Sequence, residues 1–247
     1  MRAMILAAGL GTRLRPLTGS LPKAMVEIDG KPLIQIVIER LKQAGFREII
    51  INLHHFPEKI MGFLNENQFF GLPIRDSAEE ELLDTGGGIK KAIQSFGLSD
   101  QPLLVHNVDI LCNFDLSSIY KFAVNSDYDA VVAVNSRQTS RYLLFDENNL
   151  LAGWLNKKTG ERIEVEGKSA VKEMAYSGIQ LIKPSVFKKF PPENKFSIID
   201  FYLNAAQEIK IMGLEMKNQV WFDIGKSVND IKEAEKILRL INSTKIM

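Results

Sequence analysis

The residues best placed to do chemistry are a run of small residues and cations behind the first apolar stretch, and two aspartates at the ends of later ones. The first group is Leu6-Ala7-Ala8-Gly9-Leu10-Gly11-Thr12-Arg13-Leu14-Arg15-Pro16-Leu17-Thr18. Small side chains at 7, 8, 9 and 11 let backbone N–H groups approach a ligand closely. Such N–H groups at the end of a parallel strand form an anion cradle. Arg13 and Arg15 add positive charge, and Lys23 follows in Leu21-Pro22-Lys23-Ala24-Met25, where the proline restricts the chain and helps aim the lysine. Phosphoryl chemistry needs charge neutralised on several phosphate oxygens at once, and this stretch offers several donors. It is not a P-loop, because no GxxxxGK[ST] occurs, and Leu14 stands where the dinucleotide fingerprint needs its third glycine.

The second group is Asp109, which closes Leu103–Val108, and Asp223, within Trp221-Phe222-Asp223-Ile224-Gly225. A carboxylate at the carboxyl end of an apolar strand opens toward the crevice where α/β proteins bind ligands. Carboxylate oxygens suit Mg²⁺, which takes one or two of them together with phosphate oxygens and water. The three histidines, His54, His55 and His106, fall into no His–Asp or Ser–His set and read as structural. Cys112, the single cysteine, reads as a small core residue, rules out a disulfide within the chain, and suits a reducing cytoplasm.

Strands and helices alternate around these residues. Ala3–Ala8, Glu48–Leu53 and Leu103–Val108 are continuous apolar runs, as buried parallel strands are, and Leu72–Ser77 reads as an edge strand. A helix follows Pro32 with Leu33, Ile36, Val37 and Leu41 on one face and Gly45 at its end. A second opens at Pro57 and runs to about Asn65. Gly86-Gly87-Gly88 leads into a short helix, IKKAIQSF, stopped by Gly97. Beyond residue 112 the expected elements are a strand at Ala130–Asn135, a hairpin over Tyr142–Asn156 turning at Glu147-Asn148-Asn149, and an irregular polar segment, Lys157–Lys172. Then come a strand at Tyr176–Ile182, a short helix after Pro184, a helix at Ser197–Ile209, and strands at Ile211–Met216 and Trp221–Ile224. Ser227 is expected to cap a last helix with Val228, Ile231, Ala234, Ile237, Leu238 and Ile241 on one face. The fold class is therefore α/β, with a mostly parallel sheet covered by helices on both faces. One domain is expected over 1–247, in two parts that divide near residue 112.

At 45% hydrophobic and 25% charged, the chain can build a sizeable core, and a net charge of +1 gives no global field for nucleic acid or membrane. Any phosphate site must be local. No apolar stretch approaches the roughly 18 residues of a membrane span, and the run ending at Gly9 is too short for a signal sequence.

The glycine loop resembles the signature of the sugar-phosphate nucleotidyltransferases, GxGTRLxPLT followed by PKxM, here Gly9–Thr18 and Pro22-Lys23-Ala24-Met25. The resemblance extends to about Ala234 and implies a Rossmann-like α/β fold with a mixed, mostly parallel sheet, its nucleotide half over about 1–112 and its sugar half over about 113–247. It implies an enzyme that joins a nucleoside monophosphate from an NTP to a sugar 1-phosphate and releases pyrophosphate. It implies that residues from Leu6 through Ala7, Ala8, Gly9, Gly11 and Thr12 wrap the triphosphate, that Arg13 stabilises the phosphates in the transition state, and that Lys23 contacts the phosphate of the sugar 1-phosphate. Asp109 and Asp223 match the family's two Mg²⁺ ligands, although Val108 precedes the first where the family often has glycine. The attacking phosphate oxygen is already anionic, so no enzyme base is needed.

Glu79, Thr85 and Gly86 match the base-recognition loop. Glu79 stands where several relatives carry glutamine, and its carboxylate accepts from uracil N3–H and equally from guanine N1–H and N2–H. Gly153, Asn156 and Tyr176 match sugar-binding positions. Asn156 replaces a common glutamate, and Tyr176 replaces an asparagine of some relatives. Leu83-x-Thr85-Gly86-Gly87-Gly88-Ile89 followed by Lys90 resembles two subgroups, the N-acetylmuramate-1-phosphate uridylyltransferases and the mannose- or heptose-1-phosphate guanylyltransferases. A length near 250 with no added C-terminal domain favours the first, with UTP ahead of GTP as the nucleotide and a cytoplasmic setting. Two rival classes remain. One is a nucleotide-sugar-sensing protein without turnover, which predicts damage to Arg13, Lys23, Asp109 or Asp223. The other is a phosphocholine cytidylyltransferase, which needs a cage for a quaternary amine, with Trp154, Tyr142 and Tyr176 as the available aromatics.

Overall fold

The computed structural model describes residues 1–97, 99–225, 227 and 230–243. The chain folds into two compact units. One holds Met1–Leu82, His106–Ser117 and the described residues from Asn218 on. The other holds Leu83–Val105 and Ser118–Lys217.

The first unit opens with strand β1 (Arg2–Leu6), then the small antiparallel pair β2 (Glu27–Ile28) and β3 (Lys31–Pro32), helix α1 (Leu33–Gln43), β4 (Glu48–Leu53), α2 (Pro57–Glu66) and β5 (Ile74–Ala78). β4 pairs in parallel with β1 on one side and β5 on the other, with Leu6 opposite Asn52 and Asn52 opposite Ser77. The apolar run of β4 is buried from Ile49 to Leu53, as expected of a strand covered on both faces. α1 buries Leu33, Ile34, Ile36, Val37, Ile38 and Leu41.

The second unit begins with α3 (Asp84–Phe96), which ends at Gly97, whose φ of +79° suits glycine. The glycines are inside this helix rather than ahead of it. β6 (Leu103–Asn107) follows, its first three residues in the second unit and its last two in the first. β7 (Ile110–Cys112), which belongs to the first unit, was not foreseen, nor was α4 (Leu116–Asn125), which lies in the second from Ser118 on. The remaining elements of the second unit are β8 (Ala130–Asn135), β9 (Arg141–Phe145), β10 (Leu151–Asn156), β11 (Arg162–Glu164), β12 (Lys172–Ile182), α5 (Pro184–Phe187), α6 (Ile198–Ala205) and β13 (Ile211–Glu215). β12 runs antiparallel to β8 and β9, β10 is antiparallel to β9 and β11, and β13 is parallel to β8. The turn between β9 and β10 is organised by Asp146, whose carboxylate accepts from the N–H groups of Asn148 and Leu150.

The segment expected to be irregular carries β11, an exposed edge strand whose polar sequence hid it. α6 is shorter than expected because the chain turns after Ala205. The first unit is completed by β14 (Trp221–Asp223), antiparallel to β7, and α7 (Asp230–Ser243), which buries Ala234, Leu238 and Ile241. Ser227 precedes α7 and donates through its backbone N–H and its hydroxyl to the Asp230 carboxylate. Val228 lies outside the described residues. The fold is α/β with a mixed sheet flanked by helices, parallel through β1, β4 and β5. Among the described residues no helix is long and apolar enough to cross a membrane.

Candidate active site

The first unit brings the phosphate-binding candidates together. Past β1 the chain makes tight turns at Thr12–Leu14, Leu17–Gly19 and Lys23–Met25. Gly11 anchors the loop with φ +61°, and its carbonyl accepts from the Thr18 hydroxyl (2.8 Å) and from the Leu14 N–H. A side chain at Gly11 would press on Thr18 Cγ2 at 2.9 Å and Lys23 Cβ at 3.1 Å, so this glycine also lets Lys23 pack beneath the loop. Among the described residues, no group accepts from the N–H groups of Gly9, Leu10, Gly11, Thr12 and Arg13, and neither Arg13 nor Arg15 has an acidic partner. Exposed backbone donors and unpaired guanidinium groups on one short loop are the makings of an anion site.

Lys23 is only 7% exposed, and its Nζ lies against Asp109 Oδ2. Asp109 immediately precedes β7 and Asp223 ends β14. The Ile224 N–H donates to the Asp109 carbonyl (2.9 Å), and Asp223 pairs with Ile110, so the two carboxylate-bearing residues come together where β7 meets β14. A Cβ on Gly225 would collide with Lys23 Nζ and come within 3.3 Å of Asp223 Oδ1. Asp109, Asp223, Lys23 and Gly225 therefore share one small volume. Val108 replaces glycine before Asp109 without disturbing this, because it is buried and its N–H donates to the Leu6 carbonyl. Among the described residues no three His, Cys, Asp or Glu side chains cluster as a metal cage. Two hard carboxylates beside a phosphate loop nevertheless fit Mg²⁺, which completes its octahedron with phosphate oxygens and water.

Glu79 is also in the first unit, 5% exposed. Its Oε1 accepts from Asn52 Nδ2 (2.7 Å), and Asn52 Oδ1 accepts from the Ala7 N–H (2.8 Å). The Glu79 carbonyl accepts from His54 Nδ1–H at 2.9 Å. Asn52 thus ties the base-loop candidate to the start of the phosphate loop. Sequence reading passed over it, although an amide inside the apolar run EIIINL was the available signal. His106 is fully buried, and desolvation, aided by Arg40, pushes its imidazole down to about 3, so it is neutral and serves packing. Burial pushes the Cys112 thiol up, away from the reactive thiolate.

The other candidates belong to the second unit. The Thr85 hydroxyl accepts from the Ile198 N–H (3.0 Å), and Gly86 donates its N–H to the Phe196 carbonyl (2.9 Å). Gly153 lies at a β-bulge where a side chain would strike the Ile163 carbonyl. Asn156 is buried, and its Oδ1 accepts from the Lys158 N–H in the β10–β11 turn. Tyr176 lines a cavity of about 280 Å³ with Arg141, Tyr142, Trp154, Ser197 and Asp200, and burial pushes its phenol up. Of the three sugar-side candidates only Tyr176 lines this cavity, while Gly153 and Asn156 serve the strand and turn beside it. Arg141 has no ion-pair partner among the described residues.

Known proteins resemble this chain in sequence and in fold. A family model described as Nucleotidyl transferase matches residues 2–239. The chain is 31% identical over 242 residues to the N-acetylmuramate alpha-1-phosphate uridylyltransferase of Neisseria meningitidis, covering 96% of this chain and 98% of that protein. It is likewise 31% identical over 191 residues to a mannose-1-phosphate guanyltransferase of Hypocrea jecorina, covering 76% of this chain, and it spans about half, 51%, of that protein's length. Among solved structures, HddC from Yersinia pseudotuberculosis complexed with GMP-PN superposes with a TM-score of 0.73 at 24% identity, covering 95% of this chain and 98% of that one. That likeness is one of fold. With the model spanning residues 2–239, the chain belongs to the nucleotidyl transferase family.

Proposed function

We propose that the protein transfers a nucleoside monophosphate from an NTP to a sugar 1-phosphate with release of pyrophosphate, and that UTP and N-acetylmuramate 1-phosphate are the pair. The observation that carries the reaction is the loop of unpartnered N–H groups from Gly9 to Arg13, on the same unit as the Lys23–Asp109 pair. The loop and Arg13 hold the triphosphate, and Lys23 neutralises phosphate oxygens. A phosphate oxygen of the sugar 1-phosphate bonds to the α-phosphorus, the bond from that phosphorus to the bridging β-oxygen breaks, and pyrophosphate carries the electron pair away. The oxygen is anionic beforehand, so the protein needs to position it rather than deprotonate it. Asp109 and Asp223 would hold Mg²⁺, which when bound supplies positive charge to the reacting phosphates. Glu79, oriented by Asn52, reads the base, with Thr85 and Gly86 in the first turn of α3 as the further base-side candidates.

The choice of sugar rests on the cavity of the second unit. Its volume suits a hexose derivative, Trp154 and Tyr142 offer faces for a ring, and the unpaired Arg141 guanidinium suits a carboxylate. N-acetylmuramate bears such a carboxylate, and similarity to the Neisseria uridylyltransferase over nearly the whole of both chains supports the same pair. A GTP-dependent mannose- or heptose-1-phosphate guanylyltransferase is the second reading, favoured by the Hypocrea relative. In both readings the whole chain works as one nucleotidyltransferase domain in the cytoplasm. Pyrophosphate release across four NTPs and a panel of sugar 1-phosphates tests the choice. Release confined to UTP with N-acetylmuramate 1-phosphate supports it, and release with GTP and mannose 1-phosphate replaces it with the second reading.

A further inference from the structure

The stretch from Pro191 to Ser197, ahead of α6, has no regular structure of its own. Its backbone is instead held by α3. Lys90 Nζ donates to three successive carbonyls, those of Pro191 (2.7 Å), Pro192 (2.8 Å) and Glu193 (3.1 Å). An ammonium has three donors, and each is used here. The prolines have no N–H with which to build a local turn, so their carbonyls depend on an outside donor. One turn earlier in α3, the N–H groups of Gly86 and Gly87 donate to the Phe196 carbonyl, and Phe196 in turn donates its N–H to the Leu83 carbonyl. The Thr85 hydroxyl accepts from Ile198. A side chain at Gly86 would strike the Phe196 ring, and one at Gly87 the Asn194 carbonyl. The helix is thus shaped to grip this segment along its length.

The gripped segment leads directly into residues that line the 280 Å³ cavity, namely Ser197, Ile199 and Asp200, across from Arg141, Trp154 and Tyr176. Asp200 has no ion-pair partner among the described residues, and its backbone N–H is held by the Ser197 hydroxyl. Its carboxylate is therefore available to accept from ligand hydroxyls. We propose that Lys90 is a positioning residue for the sugar: it sets the 191–198 backbone, and with it the place of Ser197 and Asp200 at the cavity. This rests on the assignment of that cavity to the sugar 1-phosphate. Lys90 touches neither substrate. Removing it shifts the groups that do, and small misplacements of binding groups are costly in rate.

The test is Lys90→Met, which keeps most of the apolar stem and removes all three donors, with Lys90→Gln as a milder second variant that retains two. Initial rates of pyrophosphate release are measured while the NTP and the sugar 1-phosphate are varied in turn. The expected result for Lys90→Met is a rise of about tenfold in KM for the sugar 1-phosphate, with KM for the NTP held within about twofold. Lys90→Gln is expected to show a smaller rise confined to the same substrate. Faster hydrogen exchange at Phe196 and Ile198 should accompany it. A purely structural role would lower the melting temperature and leave the two KM values in their wild-type ratio, and that outcome overturns the proposal. Absence of sugar-dependent turnover in the wild type is a different result, which removes the sugar assignment itself.

Discussion

Lys23 Nζ occupies the space that a side chain on Gly225 would fill, and from there it meets Asp109. The glycine is thus a condition for the lysine's placement, although the two are far apart in sequence. Gly225→Ala is expected to fold almost normally, because the atom displaced is the tip of a flexible side chain. Its kcat/KM should fall by about tenfold to a hundredfold as the ammonium moves off its phosphate contact. Steady-state kinetics beside a melting curve separates the two effects.

The pairing of β7 with β14 sets Asp223 opposite Ile110, next in the chain to Asp109. Asp109→Asn and Asp223→Asn should each lower Mg²⁺-dependent turnover by about a hundredfold or more, with the circular dichroism spectrum preserved. Wild-type turnover in either variant would remove that residue from the metal site.

Asn52 satisfies two groups at once, the Ala7 N–H and the Glu79 carboxylate. Asn52→Leu removes both bonds, taking the acceptor from the Ala7 N–H and one donor from the Glu79 carboxylate. The cost is expected at about 1–3 kcal/mol of folding stability for the buried N–H left unsatisfied, read from urea denaturation. A raised KM for the NTP should accompany it, because the start of the phosphate loop and the base-reading carboxylate are displaced together.

His106 has its imidazole lowered from 6.5 to about 3 by burial. The folded state keeps it neutral while the unfolded chain takes up a proton below about 6.5. Its contribution to stability is therefore complete above pH 6.5 and is lost progressively as pH falls toward 3. Denaturation midpoints of His106→Asn should fall less steeply across that window than those of the wild type.

Arg141 lines the 280 Å³ cavity proposed for the sugar and has no acidic partner among the described residues. Arg141→Gln should reduce the preference for N-acetylmuramate 1-phosphate over N-acetylglucosamine 1-phosphate by about tenfold or more, the order expected when one charge-assisted bond of about 1.5–3 kcal/mol is lost. An unchanged ratio of kcat/KM values would assign the guanidinium no part in reading the carboxylate.

What the sequence made legible was local. The small residues from Ala7 to Gly11 follow an apolar strand, and their freedom to expose N–H groups is a property of the residues themselves. The position of Asp223 at the end of a strand was legible for the same reason, whereas Asp109, expected to close the strand Leu103–Val108, stands in the turn between β6 and β7. Contacts between distant segments were not. Nothing near residue 225 indicates that Lys23 fills the space above it, and nothing near residue 90 indicates that three carbonyls about a hundred residues away converge on its ammonium. Gly86-Gly87-Gly88 read as a lead into a helix, and the structure sets them inside α3, with the Phe196 ring against Gly86 and the Asn194 carbonyl against Gly87. Arg141 and Trp154 reach the cavity only through the pairing of β9 with β10, a register that turn residues alone do not fix.

The central claim is nucleotidyl transfer, and the most direct measurement follows UTP labelled at its α-phosphorus, incubated with N-acetylmuramate 1-phosphate, Mg²⁺ and the protein. The account predicts that the label appears in a UDP-sugar and that one pyrophosphate is released for each molecule formed, with both lost in Lys23→Ala. Label remaining in UTP across the whole panel of sugar phosphates, or appearing as free UMP, would contradict it.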